Sequence, residues 1–421
     1  MIDQLPGKAP ERTGGEPRSC RNIEERHDVT VTRFRTMASF AMTLSPRKVE
    51  FFRHDLGDEE VASFRETLAS LFLTTGPRVA ELENLLAAYL GVPHTVGVTS
   101  CTHGLHLALI ALGIGPGDEV ITTPMTFIAT ANAVLYAGAT PVFADVDPST
   151  GLLDPDAVEA AITPRTKAVI PVHLYGQMVD MKRFRALADR HHLALIEDSA
   201  HGVEMRRDGF APGQLGDAAV FSFYATKTMT CGDGGAIAVR DPQLDRRLRQ
   251  LRYHGISKDV AARHGVPYAH WDMVELGHKA GLSDIDAALL IPQFGRLAAR
   301  RDKREHCVRR YLDRLAGTPG FSFLRWEGTS AHHLFTVLAP RGRRDALLRS
   351  LGEAGVGVAV NYRAVHLLTY YREKFGFRPG QFPHAETIGD RTISLPLWPG
   401  LPDDDVDYVT DRLRELAGSG G

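Results

Sequence analysis

A chain of 421 residues, 43% hydrophobic and 24% charged, has the composition of a soluble globular protein with room for one large domain and a smaller one. Its formal net charge of −2 excludes the global basic field that gathers nucleic acid, and no apolar run is long enough to span a bilayer. The four cysteines, Cys20, Cys101, Cys231 and Cys307, form no C-x-x-C pair, so neither a metal site nor a disulfide framework is expected, and reduced thiols in a cytoplasmic enzyme are the simplest reading.

Residues 1–45 are rich in Pro, Gly and charge and lack a sustained apolar period, so a disordered or loosely attached extension is expected there. Regular patterning starts near Leu56. "GDEEVASFRETLASLF" (57–72) has helical apolar spacing and acids in its first turn. "TVGVTS" (95–100), "DEVITTP" (118–124) and "TPVFADV" (140–146) are β-rich runs, separated by "THGLHLALIALG" (102–113) and "TFIATANAVLYAG" (126–138), helical patterns that end at glycine. "KAVIPVHLYG" (167–176), a helix through "MKRFRALADRH" (181–191), "LALIEDSAHG" (193–202) and "DAAVFSFYATK" (217–227) continue the series. Such alternation, with near-continuous apolar strands, predicts an α/β fold whose mostly parallel sheet is covered by helices on both faces. Beyond Gly295 the texture changes. "RLAARRDKREHCVRRYLDRLAG" (296–317) reads as a long basic helix with a solvated charged face. "HHLFTVLAP" (332–340), a helix through "RRDALLRSLGEAG" (343–355) and "VGVAVNYRAVH" (356–366) suggest a smaller α+β part. The expected division is therefore 46–295 and 296–421.

In parallel sheets ligands bind beyond the carboxyl ends of the strands. Four stretches place polar groups there. Asp198 ends an apolar run and reads either as a structural ion pair or cap, or as the acid that keeps a heterocyclic nitrogen protonated. Lys227 ends another, and a lysine beside such a cleft can lose its proton and attack a carbonyl carbon. Ser100, Cys101 and Thr102 lie between a strand and a helix, where free N–H groups favour an anion such as phosphate and where Ser100 and Thr102 are also plain N-cap residues. Phe127 follows a strand and reads as core or as a ring stacked on a flat ligand. Together these parts meet the protein-side needs of pyridoxal 5′-phosphate (PLP).

At this point the chain resembles the nucleotide-sugar aminotransferases of the DegT/StrS family, which have the PLP-dependent transferase fold type I. The resemblance runs from about Phe52 to Val409 and rests on motifs in order: "LTTGPRVAELE", "VTSCTHGLHLAL", "TPMTFIATANAV", "IEDSAHG", "SFYATKTMTCGDGG", "LGHKAGLSDIDAALL" and "LPLWPGL" among them. It implies that Lys227 holds PLP and shuttles protons while Asp198 pairs with the pyridine nitrogen. It places His201 near the PLP hydroxyl, Ala200 beneath the ring and Phe127 above it. Ser222 would bind the phosphate with the backbone near Cys101 and Thr102. Thr74 and Thr75 would lie on the substrate side, and Arg252, Asn361, Arg363 and His366 are candidates for the substrate's phosphates. Where many members read S-G-T this chain has Ser100-Cys101-Thr102, tolerable only if that position needs no positive φ. Where many have asparagine it has Lys279, which would reach the partner subunit's PLP phosphate in a homodimer with shared active sites.

The implied reaction moves an amino group from L-glutamate to a keto group of a nucleotide-linked keto-sugar. "TMTCGDGG" is closer to the branch acting at C4. An aminotransferase for a keto-cyclitol or another non-nucleotide ketone, and a PLP-binding sensor without turnover, remain as alternatives. A sugar dehydratase of the same family is disfavoured, since those replace the lysine with histidine and the iron–sulfur type needs clustered cysteines.

Overall fold

Seven strands form the main sheet: β1 (His94–Val98), β2 (Glu119–Thr122), β3 (Thr140–Phe143), β4 (Thr166–Ile170), β5 (Ala194–Asp198), β6 (Ala218–Ser222) and β7 (Gly235–Val239). Their order in space is β1-β7-β6-β5-β4-β2-β3. The computed structural model describes residues 47–257 and 270–418. The N-terminal extension expected over 1–45 lies outside the described residues.

Strands β2 to β6 pair in parallel, as the alternation of strands and helices predicts. Strand β7, which the periodicity does not single out, is antiparallel to both β1 and β6. It can be, because residues 223–234 return the chain directly from β6 to β7 with no crossover helix. Helices cover both faces, so β2 and β7 are buried along their whole length and no polar alternation marks them.

The C-terminal part carries a two-stranded antiparallel sheet, β8 (Phe335–Leu338) with β9 (Thr392–Leu395). The run at 356–366 forms no regular strand. It makes single pairings, Val356 with Val49 and Ala359 with Ser394, and then turns toward the main sheet. The basic helix forms over Leu297–Leu315, but its face is not simply solvated. Arg300 and Arg304 are each 3% exposed. Arg310 pairs with Asp407 and Arg314 with Asp411 of the last helix, Asp403–Gly418.

The described residues fall in one compact unit. Its packing crosses the boundary expected at 295. Val169, Leu174 and Leu195 of the sheet side share a core with Leu324, Ala331, Leu334 and Ile388. At the other end of the chain, Val49 joins the core of the C-terminal sheet with Phe335 and Leu395. No helix among the described residues is long and apolar enough to cross a membrane.

Candidate active site

Strands β5 and β6 run parallel and end side by side, so their last residues, Asp198 and Ser222, arrive at the same edge of the sheet. Strand β1 reaches that edge through Thr99 and hands over to the helix Cys101–Ala111. A cavity of about 490 Å³ opens there. Its wall includes Ser100, Cys101, Thr102, Phe127, Asp198, Ala200, His201, Ser222, Lys227 and Asn361, the first nine from the main sheet's strand ends and the last from the C-terminal part.

Side-chain alternation along β5 sends its two acids in opposite directions. Glu197 turns away and is satisfied by His173 Nε2 at 2.8 Å and by the N–H groups of Gly213 and Gly216, both at 2.9 Å. Asp198 faces the cavity and is 5% exposed. Its carboxylate accepts from Thr130 Oγ1 at 2.8 Å and from the Ala200 N–H at 3.1 Å, and the Cys101 thiol lies 3.9 Å away. Burial pushes its pKa up, and those donors together with Lys227 pull against it. A carboxylate in this setting is short of a cationic donor, and a protonated ring nitrogen in the cavity would supply one.

Lys227 sits in a tight turn, its N–H bonded to the Tyr224 carbonyl at 2.9 Å. Burial pushes its ammonium down to about 8, although Cys101 and Asp198 favour the charged form. The "CGDGG" tail beyond it is the return into β7. Gly232 takes φ +93° and pairs with Tyr224, after which Ser222 and Gly235 stand opposite each other in the ladder. A Cβ on Gly235 would lie 2.7 Å from the Cys101 nitrogen, so only glycine lets β7 pass this close to the helix start. Cys101 itself is the first helical residue and is not among those with positive φ, which accommodates a side chain where the related motif has glycine. Ser100 caps the helix by accepting from the His103 N–H at 3.2 Å, leaving the N–H groups of Cys101 and Thr102 for an anion. The Ser222 hydroxyl accepts from the Tyr224 N–H at 3.3 Å and keeps its own proton to donate.

Three cavity residues that sequence reasoning missed touch the expected ones. Thr130 escapes notice as an ordinary helix threonine, and only the fold sets it against Asp198. His333 Nε2 stands 3.4 Å from Lys227 Nζ, and its ring lies 4.7 Å from that of His201. Burial, then Lys227 and His201, keeps His333 well below the ordinary histidine range, so it is a neutral partner for the lysine. The Tyr362 hydroxyl is 3.1 Å from His201 Nε2. His201 Nδ1 accepts from the Tyr175 N–H at 2.9 Å, which puts the ring proton on Nε2, pointing at Tyr362. The doublet "HH" at 332–333 and the tyrosine in "NYR" are the signals available in the sequence, but neither is near the sheet in sequence.

Six expected site residues lie off this wall. Arg252 is 4% exposed and locked to Glu83 Oε1 at 2.5 Å and the Gly97 carbonyl at 2.9 Å. Burial opposes ionisation of Glu83, and Arg252 with Arg249 outweighs it, so Arg252 serves the packing of β1 rather than a substrate. His366 is buried, and its Nε2 is 3.0 Å from Glu386 Oε1, which also turns it away from the cavity. Arg363 is exposed outside the wall. Thr75 donates to the Leu282 carbonyl at 2.7 Å, and Thr74 is exposed. Lys279 is exposed too, with its ammonium 4.7 Å over the Tyr253 ring. Among the described residues lining the cavity, Lys227 is the sole lysine or arginine.

The set of a buried acid, a desolvated lysine, a helix start with a free hydroxyl beside it, and a half-exposed Phe127 ring fits PLP in chemistry and in number of donors. Comparisons with known proteins agree. Residues 54–414 match the DegT/DnrJ/EryC1/StrS aminotransferase family. The chain is 42% identical over 369 residues to the spore coat polysaccharide biosynthesis protein SpsC of Bacillus subtilis (strain 168), covering 86% of this chain and 95% of SpsC. Among solved structures, S. venezuelae DesV in complex with a ketimine intermediate superposes with a TM-score of 0.80 at 37% identity, covering 88% of this chain and 98% of DesV. Spr1654 from Streptococcus pneumoniae, in its PLP form, gives 0.83 at 30% identity over 89% of this chain and 99% of its own.

Proposed function

The chain belongs to the DegT/DnrJ/EryC1/StrS aminotransferase family and is a PLP-dependent aminotransferase, and we propose that it moves an amino group from L-glutamate to a keto group, at C4, of a nucleotide-activated keto-sugar. The observation that carries the reading is the meeting of Lys227, Asp198 and the helix start at Cys101–Thr102 on one cavity wall. SpsC, described as a polysaccharide biosynthesis protein, supports a sugar acceptor. The nucleotide, the donor and the C4 position rest on the resemblance of the motifs.

PLP, when bound, supplies an aldehyde and an electron-accepting ring. In this reading Lys227, neutral, would be the residue that holds the aldehyde, and its free amine would carry protons to and from the reacting carbon. Asp198, steadied by Thr130 and the Ala200 N–H, keeps the ring nitrogen protonated. Thr102 and Cys101 N–H groups and the Ser222 hydroxyl receive the phosphate. Phe127 and Ala200, both on the cavity wall, would flank the ring, and His201 would serve its hydroxyl. With no lysine or arginine but Lys227 among the described residues of the wall, the PLP phosphate and the substrate's phosphates need cations from elsewhere. We assign Lys279 of a partner subunit in a homodimer to both.

Steady-state assays with UDP- and dTDP-linked keto-sugars and L-glutamate are expected to show turnover that free keto-cyclitols do not. Turnover of the free cyclitol alone would sink the nucleotide-sugar reading. Mixing and refolding Lys227→Ala with Lys279→Ala chains is expected to regain activity that neither variant has alone. If the mixture stays inactive while each variant is folded, the shared site is wrong.

A further inference from the structure

Of the buried arginines of the helix Leu297–Leu315, Arg304 is the one tied to the lysine turn. Arg304 Nη2 donates to Glu204 Oε1 at 2.8 Å, and Glu204 Oε2 accepts from the Thr228 hydroxyl at 2.9 Å. The same guanidinium donates through Nε to the Ala331 carbonyl at 3.0 Å, two residues before His333. One helical turn earlier, Arg300 is held by Asp55, its Nε donating to Oδ2 at 2.6 Å, and its Nη1 also reaches Gln293 Oε1 at 3.2 Å. The Gln293 amide clasps the backbone of Thr230 from both sides, accepting from its N–H at 3.1 Å and donating to its carbonyl at 2.7 Å. Thr228 and Thr230 stand one and three residues beyond Lys227.

The fit around Glu204 leaves no slack. A Cβ on Gly202 would lie 2.4 Å from the Ala331 Cβ and 3.0 Å from Glu204 Oε2, and one on Gly176 would lie 3.1 Å from the backbone nitrogens of His332 and His333. So the segments bearing His201, Lys227 and His333 all close on one buried ion pair. Any buried pair needs further partners for its remaining polar atoms; those of this pair, Thr228 and the Ala331 carbonyl, lie on the segments that bear Lys227 and His333.

We propose that Arg304 is a positioning residue for the amine of Lys227, acting through Glu204 on Thr228. The inference rests on the reading of Lys227 as the PLP-binding lysine. Two variants test it. Thr228→Val cuts only the link to Glu204, and Glu204→Met with Arg304→Met removes the pair without leaving a lone buried charge. The apo chain is given PLP and capture is followed in the visible band. Separately, without PLP, the pH dependence of Lys227 acetylation by acetic anhydride is read by mass spectrometry. Thr228→Val is expected to unfold near the wild-type temperature and the double variant to stay folded at a lower one, and both to capture PLP more slowly by on the order of 10-fold or more, as misplacement of a reacting group does. The acetylation midpoint is expected to leave its wild-type position near 8 by about half a unit or more. Wild-type capture rate and midpoint in Thr228→Val and in the double variant would overturn the inference. Lys227→Ala is the control: if it captures PLP normally, the lysine reading fails instead.

Discussion

Two demands meet on the amine of Lys227. To attack an aldehyde it must be neutral, whereas in water at neutral pH it is charged. Burial decides the matter by lowering its pKa from 10.5 to about 8, while Asp198 stops the shift from going further. The neutral fraction rises as pH rises through about 8, so PLP capture by the apo chain is expected to accelerate over that range and level off above it. A rate-against-pH profile measures this, and a midpoint near 10.5 would mean the amine is solvated. The same shift makes the buried ammonium a cost to folding at neutral pH, a cost that fades between about 8 and 10.5. Asp198→Asn removes the negative charge but keeps the size. It is expected to lower turnover by on the order of 100-fold or more while leaving the protein folded, since an amide cannot hold a proton on the ring nitrogen. Turnover and circular dichroism together check that outcome.

At the scale of elements, the site depends on how close the backbone of β7 runs to the start of the helix Cys101–Ala111. Gly235 is the contact point, with the Cys101 nitrogen, Phe221 oxygen and Ser100 carbonyl carbon each 2.7 Å from where a Cβ would sit. Backbone on all sides cannot step aside. Gly235→Ala is therefore expected to destabilise by about 1–3 kcal/mol, as overpacking does, and to weaken PLP binding by displacing the helix start. Gly352→Ala, in the helix Arg344–Glu353 with nothing within 4 Å, is the matched control and should be neutral or stabilising. Denaturant midpoints for the two variants measure the contrast. The conventional strands and helices around this contact were legible from period and punctuation: β1 to β6 and the helices Cys101–Ala111, Ala129–Tyr136 and Met181–His191 fall where the apolar runs put them, whereas the short helix Pro155–Ala161 was not singled out. Strand β7 was not, because five buried residues after a glycine-rich turn carry no period.

At the scale of the whole molecule, the C-terminal part completes the sheet side instead of standing apart. Ile388, 2% exposed, packs in the core that also holds Val169 and Leu174. Ile388→Ala is expected to cost about 2–5 kcal/mol, read as one cooperative transition moving as a whole. A chain ending at residue 295 would lose Leu324, Ala331, Leu334 and Ile388 from that core and is expected to show no cooperative unfolding by calorimetry. It would also lose His333, Asn361 and Tyr362 from the cavity wall. A folded, PLP-capturing fragment would show that 46–295 is self-sufficient.

By itself the sequence determined the alternation that makes an α/β sheet, and it put Asp198, Ser222 and Lys227 at or just beyond strand ends, where such sheets bind ligands. These are local matters, settled by the period of each apolar run and by the residues at its end. Only the tertiary structure decided which polar residues share the cavity. It set Thr130 on Asp198 and His333 on Lys227, and took Arg252 into a buried ion pair and His366 into a hydrogen bond with Glu386 elsewhere. It also turned Arg300 and Arg304 inward from a helix that reads as evenly basic. The physical reason is common to all of them. A buried polar group must find a partner, and that partner is chosen by proximity in space, whatever the separation along the chain, which no local pattern records.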